Sequence, residues 1–226
     1  DTLTAVQDTV AMVEETVVEN SINLLTMAEY GGWIMIVLAL MLAFGIYLFI
    51  ERMVILTKAT KEDKTFMNRI RDYIKDGKID SAIKLCRKED TPAAHMIEKG
   101  ITRIGRPMQD VQVAIENVGN LEVSILEKGL VLMATIAAGA PMLGFLGTVL
   151  GMIQTFFNMA QNASGVIEIS SLSEGMYQAM VTTVGGLIVG ILAMFAYNLL
   201  VSRIDRVVRQ LESRTMEFMD LLNEPA

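Results

Sequence analysis

Six polar side chains stand out in two largely apolar stretches: Thr148 and Thr155 in one, and Glu174, Gln178, Thr182 and Thr183 in the other. Hydroxyls and amides donate and accept hydrogen bonds without ionising near neutral pH, so they suit contacts between helices or a polar path. A hydrolytic triad needs a histidine base, and a metal centre needs several histidine, cysteine or carboxylate ligands. The chain has one histidine, His95, and one cysteine, Cys86. Both read as ordinary residues of a soluble helical segment, and a lone cysteine excludes an intrachain disulfide. No catalytic residue, metal site or cofactor is expected, and the chain reads as a non-enzyme.

The spacing of these groups is helical. Thr148 and Thr155, seven apart, share one helix face. Glu174, Gln178 and Thr182 follow one another at i, i+4 and i+8, while Thr183 points about 100° away from Thr182. Two readings stay open: hydroxyls and amides that bond carbonyls and neighbouring helices in a membrane bundle, or a polar path through it. Glu174 has a further alternative, because Ser171 and Glu174 stand at capping-box spacing. Gly147-x-x-x-Gly151 and Gly186-x-x-x-Gly190 would let helices approach closely. Pro141 lacks a backbone donor and predicts a bend in its helix. The 17 methionines read as packing filler.

The elements that must position these groups are set by charge. Gly129 to Ile167 holds no Asp, Glu, Lys, Arg or His, and a bilayer core of about 30 Å needs about 20 such residues as helix. Tyr30 to Ile50 and Gly175 to Ser202 are likewise free of those charges, and Tyr30 and Trp33 mark an interfacial edge. With 52% hydrophobic and 20% charged residues, the chain is too apolar for disorder. Its net charge of −7 argues against a nucleic-acid partner. The fold expected is an all-α membrane protein with three transmembrane helices, the second and third extended as long cytoplasmic helices.

In order, we read an external amphipathic helix over 1–29, with apolar residues at Leu3, Val6, Val10, Val13 and Val17, after a processed start. A first span over 30–51 leads to a cytoplasmic helical domain over 52–128. The stripe Val111, Ala114, Ile115, Val118, Leu121 and Ile125 predicts one long helix running without a break into the second span at 129–160. An external loop over 161–172, a third span over 173–202 and a C-terminal cytoplasmic helix over 203–226 follow. The last carries the stripe Ile204, Val208, Leu211, Phe218 and Leu222. All 19 basic residues fall between Arg52 and Lys128 or after Ser202. The positive-inside rule then puts the N-terminus outside and the C-terminus in the cytoplasm.

These stretches carry a resemblance. Ala140-Pro141-Met142-Leu143-Gly144-Phe145-Leu146-Gly147-Thr148-Val149-Leu150-Gly151 resembles the second-span signature of the MotA/TolQ/ExbB proton-channel family. The stretch from Gly175-Met176-Tyr177-Gln178 through Thr182-Thr183-Val184-Gly185-Gly186 to Tyr197-Asn198 resembles its third-span signature. The likeness covers nearly everything except the N-terminal arm and is closest to the ExbB branch; the four-span MotA branch fits less well. It implies a homopentameric ring whose pore is lined by spans two and three. Inside would sit helices of an ExbD-like single-span partner with a membrane Asp. A TonB-like protein would carry the energy to the outer membrane, and the ring would lie in a bacterial inner membrane. By position, Thr148 and Thr183 match the family's pore-facing threonines. Gln178 stands where many relatives have glutamate, which removes an ionisable group, and Leu192 where many have proline.

The function expected is thus the ring subunit of a proton-driven motor energising a TonB-type import system. Alternatives are a TolQ-like envelope-maintenance motor and a passive membrane scaffold. A secondary transporter would show inverted repeats and a midplane site, and neither is visible.

Overall fold

The computed structural model describes residues 32–60, 65–161 and 169–223, and every element in them is an α-helix. They are α1 (Gly32–Thr60), α2 (Phe66–Lys75), α3 (Ile79–Glu89), α4 (Pro92–Ile101), α5 (Met108–Glu127), α6 (Leu130–Gln161) and α7 (Ile169–Asn223). The expected external helix over 1–29 and most of the loop over 161–172 lie outside the described residues. Gly32–Thr60, Met108–Gln161 and Leu172–Asn223 each contain a helical window long and apolar enough to cross a membrane. At most 28% of any window is buried within the chain, so lipid or other subunits must cover the rest. This is a membrane protein with three spanning helices.

The chain divides into two compact units. The first comprises 32–41 of α1, 139–161 of α6 and 169–189 of α7. The second holds the remainder of those helices together with α2 to α5.

In the second unit the helices start where the sequence sets stops. Gly77, at φ +72°, turns the chain between α2 and α3, a conformation glycine adopts without a Cβ penalty. Thr91 caps α4, its hydroxyl accepting from the Ala94 amide at 3.3 Å, with Pro92 in the first turn where its missing donor costs nothing. Phe66, Ile70, Cys86, Ile97, Ile101, Ile115 and Phe218 form the core and are almost wholly buried. Met96 fills a notch at Gly119, where an added Cβ would stand 2.8 Å from the methionine Cε.

Three expectations are corrected here. The stripe of α5 is buried at Val111, Ala114 and Ile115, but Leu121 and Ile125 are 65% and 57% exposed, and Gly119 and Leu126 face inward instead. In the tail of α7 Ile204, Leu211 and Phe218 are buried as expected, but Val207 and Leu221 are buried in place of Val208 and Leu222. A stripe at 3.6 residues per turn drifts, and one residue moves a side chain about 100°. The third correction is a break: α5 stops at Glu127, and α6 begins at Leu130. Gly129 holds φ +90° there, and a Cβ on it would meet the Arg52 guanidinium at 3.1 Å.

His95 on α4 is more than an ordinary surface residue. Its Nδ1 lies 2.8 Å from Glu122 Oε1 on α5, and its Nε2 lies 3.1 Å from Asp90 Oδ1 at the end of α3. Burial alone would lower its pKa, but the two carboxylates outweigh that and raise it above the ordinary value. The raised pKa means that the stabilisation is complete below about pH 6.5 and is lost as pH rises through the folded value. The site is partly exposed, so the effect should be about 1 kcal/mol or less. The detergent-solubilised protein should therefore melt a few degrees lower at pH 8.5 than at pH 6, by roughly 2–4 °C per kcal/mol. In His95→Gln that decline should be smaller; equal declines in both proteins would rule the histidine out.

Candidate functional site

Within the first unit, α6 and α7 meet where both lack side chains. A Cβ at Gly186 would stand 2.6 Å from the Ala140 carbonyl oxygen and 2.8 Å from Gly144 Cα. Backbone packs on backbone here, the close approach that small residues permit in membranes. Gly147 is also needed, since its Cβ would meet Thr182 Oγ1 at 2.6 Å, and Gly151 lies against Ala179. Gly190 is buried. Gly144 and Gly175 are contact glycines that the GxxxG reading missed. Ala140-x-x-x-Gly144, with the same spacing of small residues, was the available signal. Pro141 lies inside α6, which continues through it.

The close crossing brings Thr148 and Thr183 together. Their hydroxyls bond each other. Thr148 Oγ1 also lies 3.2 Å from the Ala179 carbonyl on α7, and Thr183 Oγ1 lies 3.2 Å from the Gly144 carbonyl on α6. Each hydroxyl has one proton and more than one acceptor in reach, so the pair can reverse its donor direction by rotating about Cβ–Oγ.

Thr182 faces elsewhere, as the 100° offset predicts. It is buried, it donates to the Ala179 carbonyl at 2.7 Å, and it lines a cavity of about 600 Å³ with Glu174, Gln178, Thr155 and Gln154. The six candidates thus form two sets: the threonine pair at the helix crossing, and a polar cavity beside it. Ala179 joins them, since its carbonyl accepts from both Thr182 and Thr148. Thr148 and Thr155 both face α7, Thr155 against Gly175. The cavity has a wall that the sequence reading did not include: Gly32, Trp33 and Ile34 of α1. An edge tryptophan explained as an interface anchor gave no sign of it.

The capping reading of Glu174 is corrected. Helix α7 starts at Ile169, so Ser171 lies inside it and Glu174 is beyond the first turn. Serine is tolerated within a helix when neighbouring turns hold the backbone. Glu174 is exposed and borders the cavity instead.

Between Gly129 and Ile167 and between Gly175 and Ser202 the chain offers no carboxylate, amine or imidazole. Its membrane chemistry is that of hydroxyls, amides and carbonyls. Among the described residues no group of three or more His, Cys, Asp or Glu is placed to hold a metal ion.

The profile of the MotA/TolQ/ExbB proton channel family matches residues 88–213, more than half of the chain. The chain belongs to that family. Both threonines and the whole α6–α7 crossing lie within the matched residues. The chain is similar to the biopolymer transport protein ExbB homolog of Methanothermobacter thermautotrophicus. That match is 30% identical over 194 residues, covering 84% of this chain and 67% of the relative. It is similar also to the Tol-Pal system protein TolQ of Haemophilus influenzae, at 26% over 207 residues, covering 85% of this chain and 90% of TolQ. ExbB of Neisseria meningitidis serogroup A is 26% identical over 196 residues, covering 79% of this chain and 87% of the relative. For a MotA/TolQ/ExbB protein, a polar crossing without an ionisable side chain is the feature the function has to accommodate.

Proposed function

We propose that this protein is the non-enzymatic ring subunit of a proton-driven motor in a bacterial inner membrane, with its N-terminus periplasmic and its C-terminus cytoplasmic. The ring is a homopentamer around the single-span helices of an ExbD-like partner. The motor energises a TonB-type outer-membrane import system through a TonB-like protein. The observation that carries this reading is the Thr148–Thr183 pair, whose hydroxyls bond across the α6–α7 crossing between stretches that hold no carboxylate, amine or imidazole. Relaying a proton across hydrocarbon needs a group that binds and releases it. Threonine can pass a proton on or solvate it, but it does not store one at neutral pH. The storing group is the partner's membrane Asp, moving within reach of the pair.

The likeness to TolQ over 85% of the chain favours one second reading, an envelope-maintenance motor of the Tol-Pal kind. Both readings share the same proton chemistry.

The test is reconstitution into vesicles with and without the partner, followed by decay of an imposed pH gradient. The complex should dissipate the gradient and the lone ring should hold it. Flux through the lone ring that survives Glu174→Gln would overturn the borrowed carboxylate, and a tight complex would leave only a scaffold.

A further inference from the structure

The cavity of about 600 Å³ beside the threonine pair has walls from α1, α6 and α7 of the same chain. From Glu174 to Thr182 it follows two turns of α7, about 12 Å at 1.5 Å per residue. That is most of one leaflet of a hydrocarbon core about 30 Å thick. Its lining is mixed: Ile34 and Ile153 are apolar, whereas Glu174, Gln178, Thr155 and Thr182 are polar. An acyl chain would desolvate the Glu174 carboxylate and the Gln178 amide without bonding either. Water satisfies both and needs only about 30 Å³ per molecule.

We propose that this cavity is a water-filled access vestibule within each subunit, carrying water and hydronium between the aqueous phase at Glu174 and Thr182. The inference rests on the proton-motor reading and adds a route to it. Protons hop along the water file, and no bond to the chain is made or broken. At the floor, Thr182 shares the Ala179 carbonyl with Thr148, so the vestibule ends one shared acceptor from the Thr148–Thr183 pair. Helix α1 is then part of the conduction apparatus, because Gly32, Trp33 and Ile34 close the side of the cavity. Gly32 lets the Gln178 amide approach, since a Cβ there would stand 2.9 Å from Nε2.

Thiol accessibility in the intact complex tests this. Native Cys86 is buried and its thiol is pushed up to about 12 by burial, so it supplies almost no thiolate. Gln178→Cys at the middle, Thr182→Cys at the floor and Ile188→Cys as an apolar control are treated in membranes with a charged, impermeant methanethiosulfonate. Gln178→Cys and Thr182→Cys should react at least about tenfold faster than Ile188→Cys, the thiolate being the reactive form and needing water. If Thr182→Cys does not assemble, Thr155→Cys on the facing wall replaces it. Rates equal to the control at both depths would overturn the proposal. Labelling at Gln178 without labelling at the floor would also do so. The assay needs no proton gradient: a complex that labels but does not conduct would retire the motor and keep the vestibule, and the converse would retire the vestibule alone.

Discussion

Thr148→Val combined with Thr183→Val should lower proton flux through the reconstituted complex by about 100-fold, the lower end of what positioned proton-transfer groups contribute, while the complex still assembles. Valine keeps the branched shape and removes only the hydroxyl. The carbonyls of Gly144 and Ala179 that lose a hydroxyl lie within helices and keep backbone N–H partners four residues on. No buried acceptor is stranded, and an interhelical hydrogen bond in a membrane averages only about 0.6 kcal/mol. Stability and function should therefore separate. Gradient decay in vesicles measures the first outcome and the mass of the complex the second. Unchanged flux in the double variant would reduce the pair to packing.

Gly186→Ala should be severely disruptive for a single added methyl. The new carbon would stand 2.6 Å from the Ala140 carbonyl oxygen and 2.8 Å from Gly144 Cα. These are backbone atoms, so no rotamer change relieves the overlap and α6 must move away from α7. Overpacking typically costs about 1–3 kcal/mol, and a rigid backbone contact belongs at the upper end. The Thr148–Thr183 bond should be lost with it. Gly139→Ala is the matched control, since its nearest neighbour, Met41 Cε, would be at an ordinary 3.8 Å. Melting of the two variants in detergent decides the matter: equal stability would mean that the crossing yields freely.

The three spans were legible because hydrocarbon tolerates so little charge that long uncharged runs admit few readings. The offset between Thr182 and Thr183 was legible too, because helical geometry fixes it. What escaped the sequence was partnership. Helical spacing puts Glu174, Gln178 and Thr182 on one face but does not name the helix opposite, so the wall from Trp33 and Ile34 went unseen. Gly129 escaped for a different reason. Amid an apolar run a glycine reads equally as a packing surface or a stop, and only its φ of +90° separates the two. Leu121 and Ile125 were counted as inward by periodicity, yet each is more than half exposed. A subunit that meets lipid or copies of itself carries apolar faces on more than one side.

The seat of Met96 governs how the protein withstands oxidants. Conversion of a methionine to its sulfoxide adds a polar oxygen. At Gly119 the Met96 thioether fills a notch in which an added Cβ would lie 2.8 Å from its Cε and 3.3 Å from its sulfur. An oxygen on that sulfur would force α4 and α5 apart, so this lesion would be structural. Its 5% exposure shields it, as burial shields Met67 and Met133, while Met216 in the tail of α7, at 66%, stands open. That exposed thioether meets hydrogen peroxide before the buried ones do and can be repaired by methionine sulfoxide reductase.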